Sequence, residues 1–342
     1  MSVTPVKPED AAAEGVEPVA TVAQDVEPVA TAARNVEPVA VVDEDVAADA
    51  KGTVPYGPYE TWYRVTGDLS GGRPPLVVVH GGPGSPHDYL LPLAALAART
   101  GHPVVHYDQL GNGGSTRLPD QDPGFWTVQL FLDELDNLIG HLGIVDGYVL
   151  FGHSWGGMLA ARHAAERPAG LRGLVVANSP ASYPLWRRET KALRDALPPG
   201  VDATLRRHEA AGTTTSAEYR EAVAVFYERH VCRVTPWPRA YTASLYEVHD
   251  DPTVYATMNG PSEFHVTGTL RDWTVEPCLG SVTAPTLILS GRHDEATEAA
   301  VRPYQELIPD SRWELFEHSS HMPHLEEPDR FQRVVADFLT AL

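Results

Sequence analysis

The chain has 342 residues, of which 43% are hydrophobic, and a formal charge of −20. This length suits one large α/β domain with insertions and a substantial core. The negative charge argues against nucleic acid as a partner, because surfaces that bind phosphate are basic. The two cysteines, Cys232 and Cys278, form no disulfide framework. No apolar run reaches the ~20 residues that span a bilayer, and no secretory signal is evident. We expect a soluble cytoplasmic protein with no membrane partner.

The first 50 residues differ in composition from the rest. They hold eleven acidic and two basic residues, a net charge of −9, and the sequence VEPVA recurs at 16–20, 26–30 and 36–40. Each repeat has one proline and no aromatic residue, so it cannot bury enough surface to offset its ordering entropy. We predict that residues 1–50 form a disordered acidic tail. A docking role for the tail remains an alternative, and its partner is unknown.

From Tyr59 onward, short apolar segments alternate with amphipathic ones, which predicts a mainly parallel sheet covered by helices on both faces. The predicted strands are 61–65, 76–80, 104–107, 147–151, 173–177, 286–290 and 312–316. The predicted helices are 90–99, 127–142, 155–166, 301–308 and 328–342.

The alternation stops between 180 and 276, where aromatic-rich helical segments replace it. We therefore predict a helical cap, 180–276, inserted after the fifth or sixth strand of an α/β core built from 51–179 and 277–342. A cap at the carboxyl ends of the strands would cover a site there.

The sequence YVLFGHSWGGMLA joins an apolar strand to an amphipathic helix through GHSWG, with Ser154 at its centre. Small residues two positions on either side of a serine allow the tight, strained turn of a nucleophile elbow. GxSxG alone is common by chance, but this strand–turn–helix context favours a nucleophile over an ordinary N-cap serine. We predict that Ser154 is the nucleophile of an α/β-hydrolase fold.

A second strand ends in the glycine-rich sequence HGGPG, residues 80–84. Glycines allow a backbone path that aims amide N–H groups at a developing oxyanion. We predict that the N–H groups of Gly82 and Trp155 form the oxyanion hole. His80 is expected to order this loop by hydrogen bonding.

In an α/β-hydrolase the acid of the triad follows the inserted segment, and the histidine follows the next strand. The sequence SGRHDEATE supplies the acid and EHSSHMPHLEEP supplies the histidine. We favour Asp294 over Glu295, whose side chain is longer, and His321 over His318 and His324. On the residues alone, Glu295 could be a solvated loop charge.

Five stretches go beyond general hydrolase signals: HGGPGSPHDYLL, VVHYDQLGNGGS, GHSWGGMLA, MNGPSEFHVTGTLRDW and GRHDEATE. With them the sequence resembles the prolyl aminopeptidase (proline iminopeptidase) family of serine α/β-hydrolases, in particular the tricorn-interacting type. The resemblance runs from Tyr59 to the last residue. It excludes the tail.

The resemblance implies recognition of a free amino terminus by two glutamates, here Glu263 of GPSEF and Glu295 of HDEAT. A partly desolvated ammonium group needs anionic acceptors, so this role is physically reasonable. One departure is the stretch Asn112-Gly113-Gly114-Ser115, where relatives often carry an arginine before the serine. Proline specificity does not follow from the match, because the cap sets side-chain preference.

We therefore expect a cofactor-independent and metal-independent serine aminopeptidase that cleaves after an unblocked N-terminal amino acid. One alternative is an amino-acid amidase, or a deprotecting hydrolase that removes an aminoacyl group from a small-molecule natural product. An esterase without amine recognition ranks third. A dehalogenase or epoxide hydrolase would need aspartate at position 154. A non-catalytic docking protein would not need Ser154, Asp294 and His321 together.

Overall fold

The computed structural model describes residues 48–342. Most of the predicted acidic tail, residues 1–47, lies outside the described residues. The first strand begins at Ala50.

One sheet with eight strands runs through the described part of the chain, in the order β1-β2-β4-β3-β5-β6-β7-β8. β2 pairs antiparallel with β1 and with β4, and the remaining neighbours pair in parallel. The strands are β1 (Ala50–Tyr56), β2 (Tyr59–Thr66), β3 (Leu76–Val79), β4 (Val104–Tyr107), β5 (Tyr148–His153), β6 (Leu171–Ala177), β7 (Thr286–Gly291) and β8 (Ser311–Phe316). The predicted mainly parallel α/β-hydrolase sheet is confirmed.

Strand β1 is absent from the sequence prediction. Its sequence, AKGTVPY, contains a glycine and a proline, and only Val54 is fully buried. The strand lies at the sheet edge and pairs with β2 along its whole length. An edge strand needs little apolar content because one side of its backbone has no neighbour, so the alternating pattern that marks a strand is weak here.

The helices lie close to their predicted positions in the core, while those between β6 and β7 form the region that we predicted as a cap. Residues His87–Ala94 form a 3₁₀ helix where an α-helix was expected to begin, and Pro123–Phe125 form another. The α-helices are α1 (Ala95–Thr100), α2 (Val128–His141), α3 (Trp155–Ala164), α4 (Tyr183–Asp195), α5 (Pro199–Ala211), α6 (Ala217–His230), α7 (Arg239–Asp250), α8 (Thr253–Met258), α9 (Glu276–Leu279), α10 (Glu298–Leu307), α11 (Pro323–Glu326) and α12 (Pro328–Ala341).

Alternate residues of the strands belong to two apolar clusters, one on each face of the sheet. Val77, Leu150 and Val176 belong to the cluster shared with α2 and α3, whereas their neighbours Leu76 and Val149 belong to the cluster shared with α12. This alternation follows from the two-residue period of a strand. Because both faces are buried, the central strands are almost entirely apolar.

The inserted helices have a small apolar cluster of their own, which includes Leu205, Tyr219 and Phe226. Other residues between β6 and β7 belong to the clusters of the sheet, such as Trp186 and Met258 on one face and Tyr241 on the other, so the inserted helices also pack on the core. None of the helices within residues 48–342 combines the length and apolarity needed to cross a membrane.

Candidate active site

Ser154 occupies the turn between β5 and α3. Its φ angle is 54°, in the left-handed region that residues other than glycine rarely adopt. A Cβ atom on Gly152 would lie well inside 3.0 Å of the Gly156 backbone, and one on Gly156 would lie equally close to the carbonyl of Val79. The two glycines therefore let the strand and the helix close around the serine, as a nucleophile elbow requires.

The glycine-rich loop after β3 packs directly on this turn. A Cβ atom on Gly81 would lie 3.0 Å from the Cβ atom of Ser154, so the loop can come this close only with glycine. Gly82 has a φ angle of 109°, which glycine adopts without strain. Trp155 is the first residue of α3, where a backbone N–H has no acceptor within the helix. Both predicted oxyanion-hole residues therefore lie in the neighbourhood of Ser154.

Buried hydrogen bonds hold the glycine-rich loop in place. The backbone N–H of Gln109 donates to His80 Nε2 at 2.9 Å, and His80 Nδ1 lies 3.0 Å from the carbonyl oxygen of Gly81. The side-chain oxygen of Gln109 accepts a hydrogen bond from Trp155 Nε1 at 2.9 Å. Burial lowers the pKa of His80 to about 4. A neutral His80 therefore connects the loop to the sheet.

Asp294 and His321 come together from the loops that follow β7 and β8. His321 Nδ1 lies 2.8 Å from Asp294 Oδ1. Asp294 Oδ1 also accepts a hydrogen bond from Ala296 N at 2.8 Å, and its Oδ2 accepts one from Asn178 Nδ2 at 2.6 Å. Burial alone would lower the pKa of His321, but the charge and hydrogen bond of Asp294 outweigh burial, and the pKa is raised.

The neighbouring histidines lie elsewhere. His324 is buried with its Nε2 2.9 Å from the carbonyl oxygen of Tyr89, and burial lowers its pKa to about 3. His318 is exposed, and its carbonyl oxygen accepts a hydrogen bond from the side chain of Arg233. Of these three histidines, His321 is the one that contacts Asp294.

Glu295 is a buried carboxyl group with no hydrogen-bond partner among the described residues. Its side chain is 0% exposed, and neither oxygen accepts or donates a hydrogen bond. Oε1 lies 3.8 Å from Nε2 of His321, the ring nitrogen that faces away from Asp294. Burial raises the pKa of Glu295 well above its ordinary range, and the charges of Glu263 and Asp294 raise it further. The interpretation of Glu295 as a solvated loop charge is therefore wrong.

Glu263 approaches the same place from the loop that follows α8. Its Oε1 accepts a hydrogen bond from Tyr255 Oη at 2.7 Å, and its carbonyl oxygen accepts one from Trp186 Nε1 at 2.6 Å. Burial raises the pKa of Glu263, while the hydrogen bond from Tyr255 and the charge of His321 oppose the rise. The charge of Glu263 acts on both Glu295 and His321. A carboxyl pair at this place could hold a cation next to the histidine.

Two residues of this site were not predicted from the sequence. Asn178 follows β6 and holds Asp294, and its position at the carboxyl end of a parallel strand was a usable signal. Tyr255 gives no such signal, because its contact with Glu263 depends on the fold of the inserted helices. Within residues 48–342, no three His, Cys, Asp or Glu side chains are grouped so as to hold a metal ion.

The chain is similar in sequence and in fold to known proteins. The family model of the alpha/beta hydrolase fold matches residues 74–328. A proline iminopeptidase of Heyndrickxia coagulans is 38% identical over 275 residues, which cover 80% of this chain and 93% of that protein. The crystal structure of VinJ superposes with a TM-score of 0.85 at 62% identity and covers 86% of this chain and 100% of the other.

The crystal structure of a proline iminopeptidase of Mycobacterium smegmatis has a TM-score of 0.79 at 50% identity, covering 85% of this chain and 97% of the other. The similarity extends over almost the whole of each relative, and this chain has the parallel sheet and the elbow serine of the fold. The chain therefore belongs to the proline iminopeptidase family of α/β-hydrolases, and it is a hydrolase of the prolyl aminopeptidase type.

Proposed function

We propose that this hydrolase releases an unblocked N-terminal amino acid, proline or another small residue, through an acyl-enzyme formed on Ser154. One juxtaposition carries the proposal. His321 lies 2.8 Å from Asp294 on one side, and its other nitrogen lies 3.8 Å from the unpartnered carboxyl group of Glu295. A catalytic base next to a buried carboxyl group that has no hydrogen-bond partner suits a substrate with a positive charge.

In the proposed reaction, Ser154 Oγ attacks the scissile carbonyl carbon and its proton passes to His321 Nε2. Asp294 holds the ring in the required tautomer and stabilises the imidazolium that forms. The oxyanion accepts hydrogen bonds from the N–H groups of Gly82 and Trp155. His321 then gives the proton to the leaving amine. Water hydrolyses the acyl-enzyme by the same steps, and the free amino acid leaves.

The two glutamates would fix where the substrate is cut. An α-ammonium group held by Glu263 and Glu295 belongs to the same residue as the carbonyl that Ser154 attacks, so only the first peptide bond can reach the serine. An acetylated terminus brings no charge to the pair and leaves the buried carboxyl group of Glu295 without a partner. We therefore propose substrates with a free amino terminus, either peptides or aminoacyl small molecules. The proposed boundaries of the cap, 180–276, put Glu263 on the cap and Glu295 on the core.

A panel of aminoacyl anilides, amides, esters and dipeptides, each free and N-acetylated, tests the proposal. Wild type should cleave the free compounds and leave the acetylated ones, and Ser154→Ala should abolish turnover. Ser179→Ala is the matched control, because this buried serine after β6 contacts Tyr304 instead. Undiminished turnover by Ser154→Ala would remove the nucleophile assignment. Cleavage of aminoacyl amides of small molecules without cleavage of dipeptides would favour the deprotecting hydrolase.

A further inference from the structure

The loop that carries His321 is held by a buried glutamate that the proposed mechanism does not use. Glu326, at the end of α11, accepts hydrogen bonds from both the backbone and the side chain of Ser320. The Ser320 N–H donates to Oε2 at 2.6 Å, and the Ser320 hydroxyl donates to Oε1 at 2.8 Å. Ser320 directly precedes His321 in the chain. Glu326 therefore fixes the backbone conformation directly before His321.

The same carboxyl group ties this loop to the inserted helical region. Glu326 Oε1 accepts a hydrogen bond from the backbone N–H of Arg233 at 2.7 Å, in the segment after α6. The Arg233 side chain donates to the carbonyl oxygen of His318 at 3.1 Å, at the other end of the histidine loop. All three residues also line an open cleft of about 810 Å³. The segment after α6 and the histidine loop are thus joined at two points.

The hydrogen-bond pattern favours an ionised Glu326. Each of its oxygens faces a backbone N–H, from Arg233 or from Ser320, and a backbone N–H can only donate. A proton on either oxygen would point at a donor, so the carboxylate is the form that these contacts fit. Burial raises the pKa of Glu326, and the donors from Arg233 and Ser320 oppose the rise.

The charge of Glu326 reaches the catalytic histidine. Its negative charge raises the pKa of His321, as do the charges of Asp294 and Glu263. The other titratable groups around the histidine come from several elements: His153 at the end of β5, whose Nε2 lies 2.8 Å from the His321 carbonyl oxygen, His324 of α11 and Glu295 after β7.

We propose that Glu326 is a positioning residue for the proposed triad: it holds the loop of His321 and links that loop to the inserted helices through Arg233. The proposal rests on the assignment of His321 as the base. It concerns the histidine alone, so esters without an amino group and free-amine anilides must respond alike.

The test is the pH profile of kcat/KM for Glu326→Gln with two substrates, an alanyl p-nitroanilide and p-nitrophenyl acetate. Glutamine removes the charge that raises the pKa of His321, so the acid limb should move to lower pH by roughly 0.3 to 1 unit with both substrates. One hydrogen bond is also lost, because the amide nitrogen of glutamine faces an N–H and cannot accept from it. At pH values above the acid limb, kcat should therefore fall roughly threefold to tenfold. KM should not change.

Glu327→Gln is the matched control. Glu327 accepts hydrogen bonds with a single oxygen, Oε2, from the backbone of His318 and the hydroxyl of Ser319. The amide oxygen of glutamine can keep both bonds, and the acidic groups with the largest effect on the pKa of His321 are Asp294, Glu263 and Glu326. The acid limb of Glu327→Gln should therefore coincide with that of wild type.

An acid limb of Glu326→Gln that coincides with that of wild type, or one that moves to higher pH, would overturn the proposal. If Glu326→Gln does not fold, Ser320→Ala takes its place. This variant removes one donor to Glu326 and should lower kcat roughly threefold without changing KM; a kcat equal to that of wild type would also overturn the proposal. Failure of the proposed function is recognised separately, because turnover would then persist in Ser154→Ala.

Discussion

Replacing Glu295 by glutamine should stabilise the fold at neutral pH while it weakens the site. The Glu295 carboxyl is fully buried and has no hydrogen-bond partner among the described residues, and burial holds its pKa well above the ordinary range. In the unfolded chain the same group ionises at about pH 4.3. Between these two pKa values the folded protein binds a proton that the unfolded chain has lost.

The sign and size of the effect follow from this difference. An acid whose folded pKa is raised lends full stability below its unfolded pKa, and the stability falls as the pH rises toward the folded pKa. The loss is about 1.4 kcal/mol for each pH unit inside that window. Wild type should therefore lose stability between pH 5 and pH 7, by at most about 3 kcal/mol, whereas Glu295→Gln should not. At about 2 °C per kcal/mol, the variant should melt higher than wild type at pH 7, by at most about 6 °C.

Urea unfolding of wild type and Glu295→Gln at pH 5, 6 and 7 measures this difference, with thermal melts as a second readout. Glu306→Gln is the control, because Glu306 is an exposed glutamate on α10. Its free energy of unfolding should follow that of wild type at each pH. The same pH dependence in wild type and Glu295→Gln would refute the reasoning, because it would mean that the folded protein does not hold Glu295 at a raised pKa.

Tyr255→Phe removes the hydrogen bond to Glu263 and should raise KM for a free-amine anilide roughly tenfold, because bonds to charged acceptors contribute about 1.5 to 3 kcal/mol. An unchanged KM would contradict this prediction. Tyr241→Phe is the control, since the buried hydroxyl of Tyr241 has no partner among the described residues. Asn178→Ala removes a bond to Asp294 and should lower kcat roughly tenfold on anilides and simple esters alike; a change confined to KM would argue against it. Gly156→Ala should lower the melting temperature or prevent folding, since its Cβ atom would overlap the Val79 carbonyl; a wild-type melting curve would contradict the elbow geometry.

The core of the fold could be predicted because its strands are buried on both faces. β4, for example, is entirely buried and coincides with the predicted strand 104–107. β1 could not be predicted, because an edge strand with one fully buried residue carries little hydrophobic pattern. The 3₁₀ helix at His87–Ala94 was predicted in part as an α-helix, since the two share similar apolar spacing.

The residues of the candidate site also differ in how far they could be predicted from the sequence. Ser154, Asp294 and His321 follow strands, so their positions can be inferred from strand order alone. Glu263 lies in a loop of the inserted region, and only the family resemblance pointed to it. Its partner Tyr255 and the link between Arg233 and Glu326 join segments that are distant in sequence, and no local pattern encodes such contacts.

The central claim is that Glu295 and Glu263 recognise the free amino group of the substrate. The most direct test is the ratio of kcat/KM for an alanyl anilide to that for its N-acetyl derivative, measured in wild type and in Glu295→Gln. We predict a ratio above about 100 in wild type, because a desolvated charge pair is worth several kcal/mol, and a fall of at least about tenfold in the variant. An equal loss of activity on both substrates, which leaves the ratio unchanged, would contradict the account.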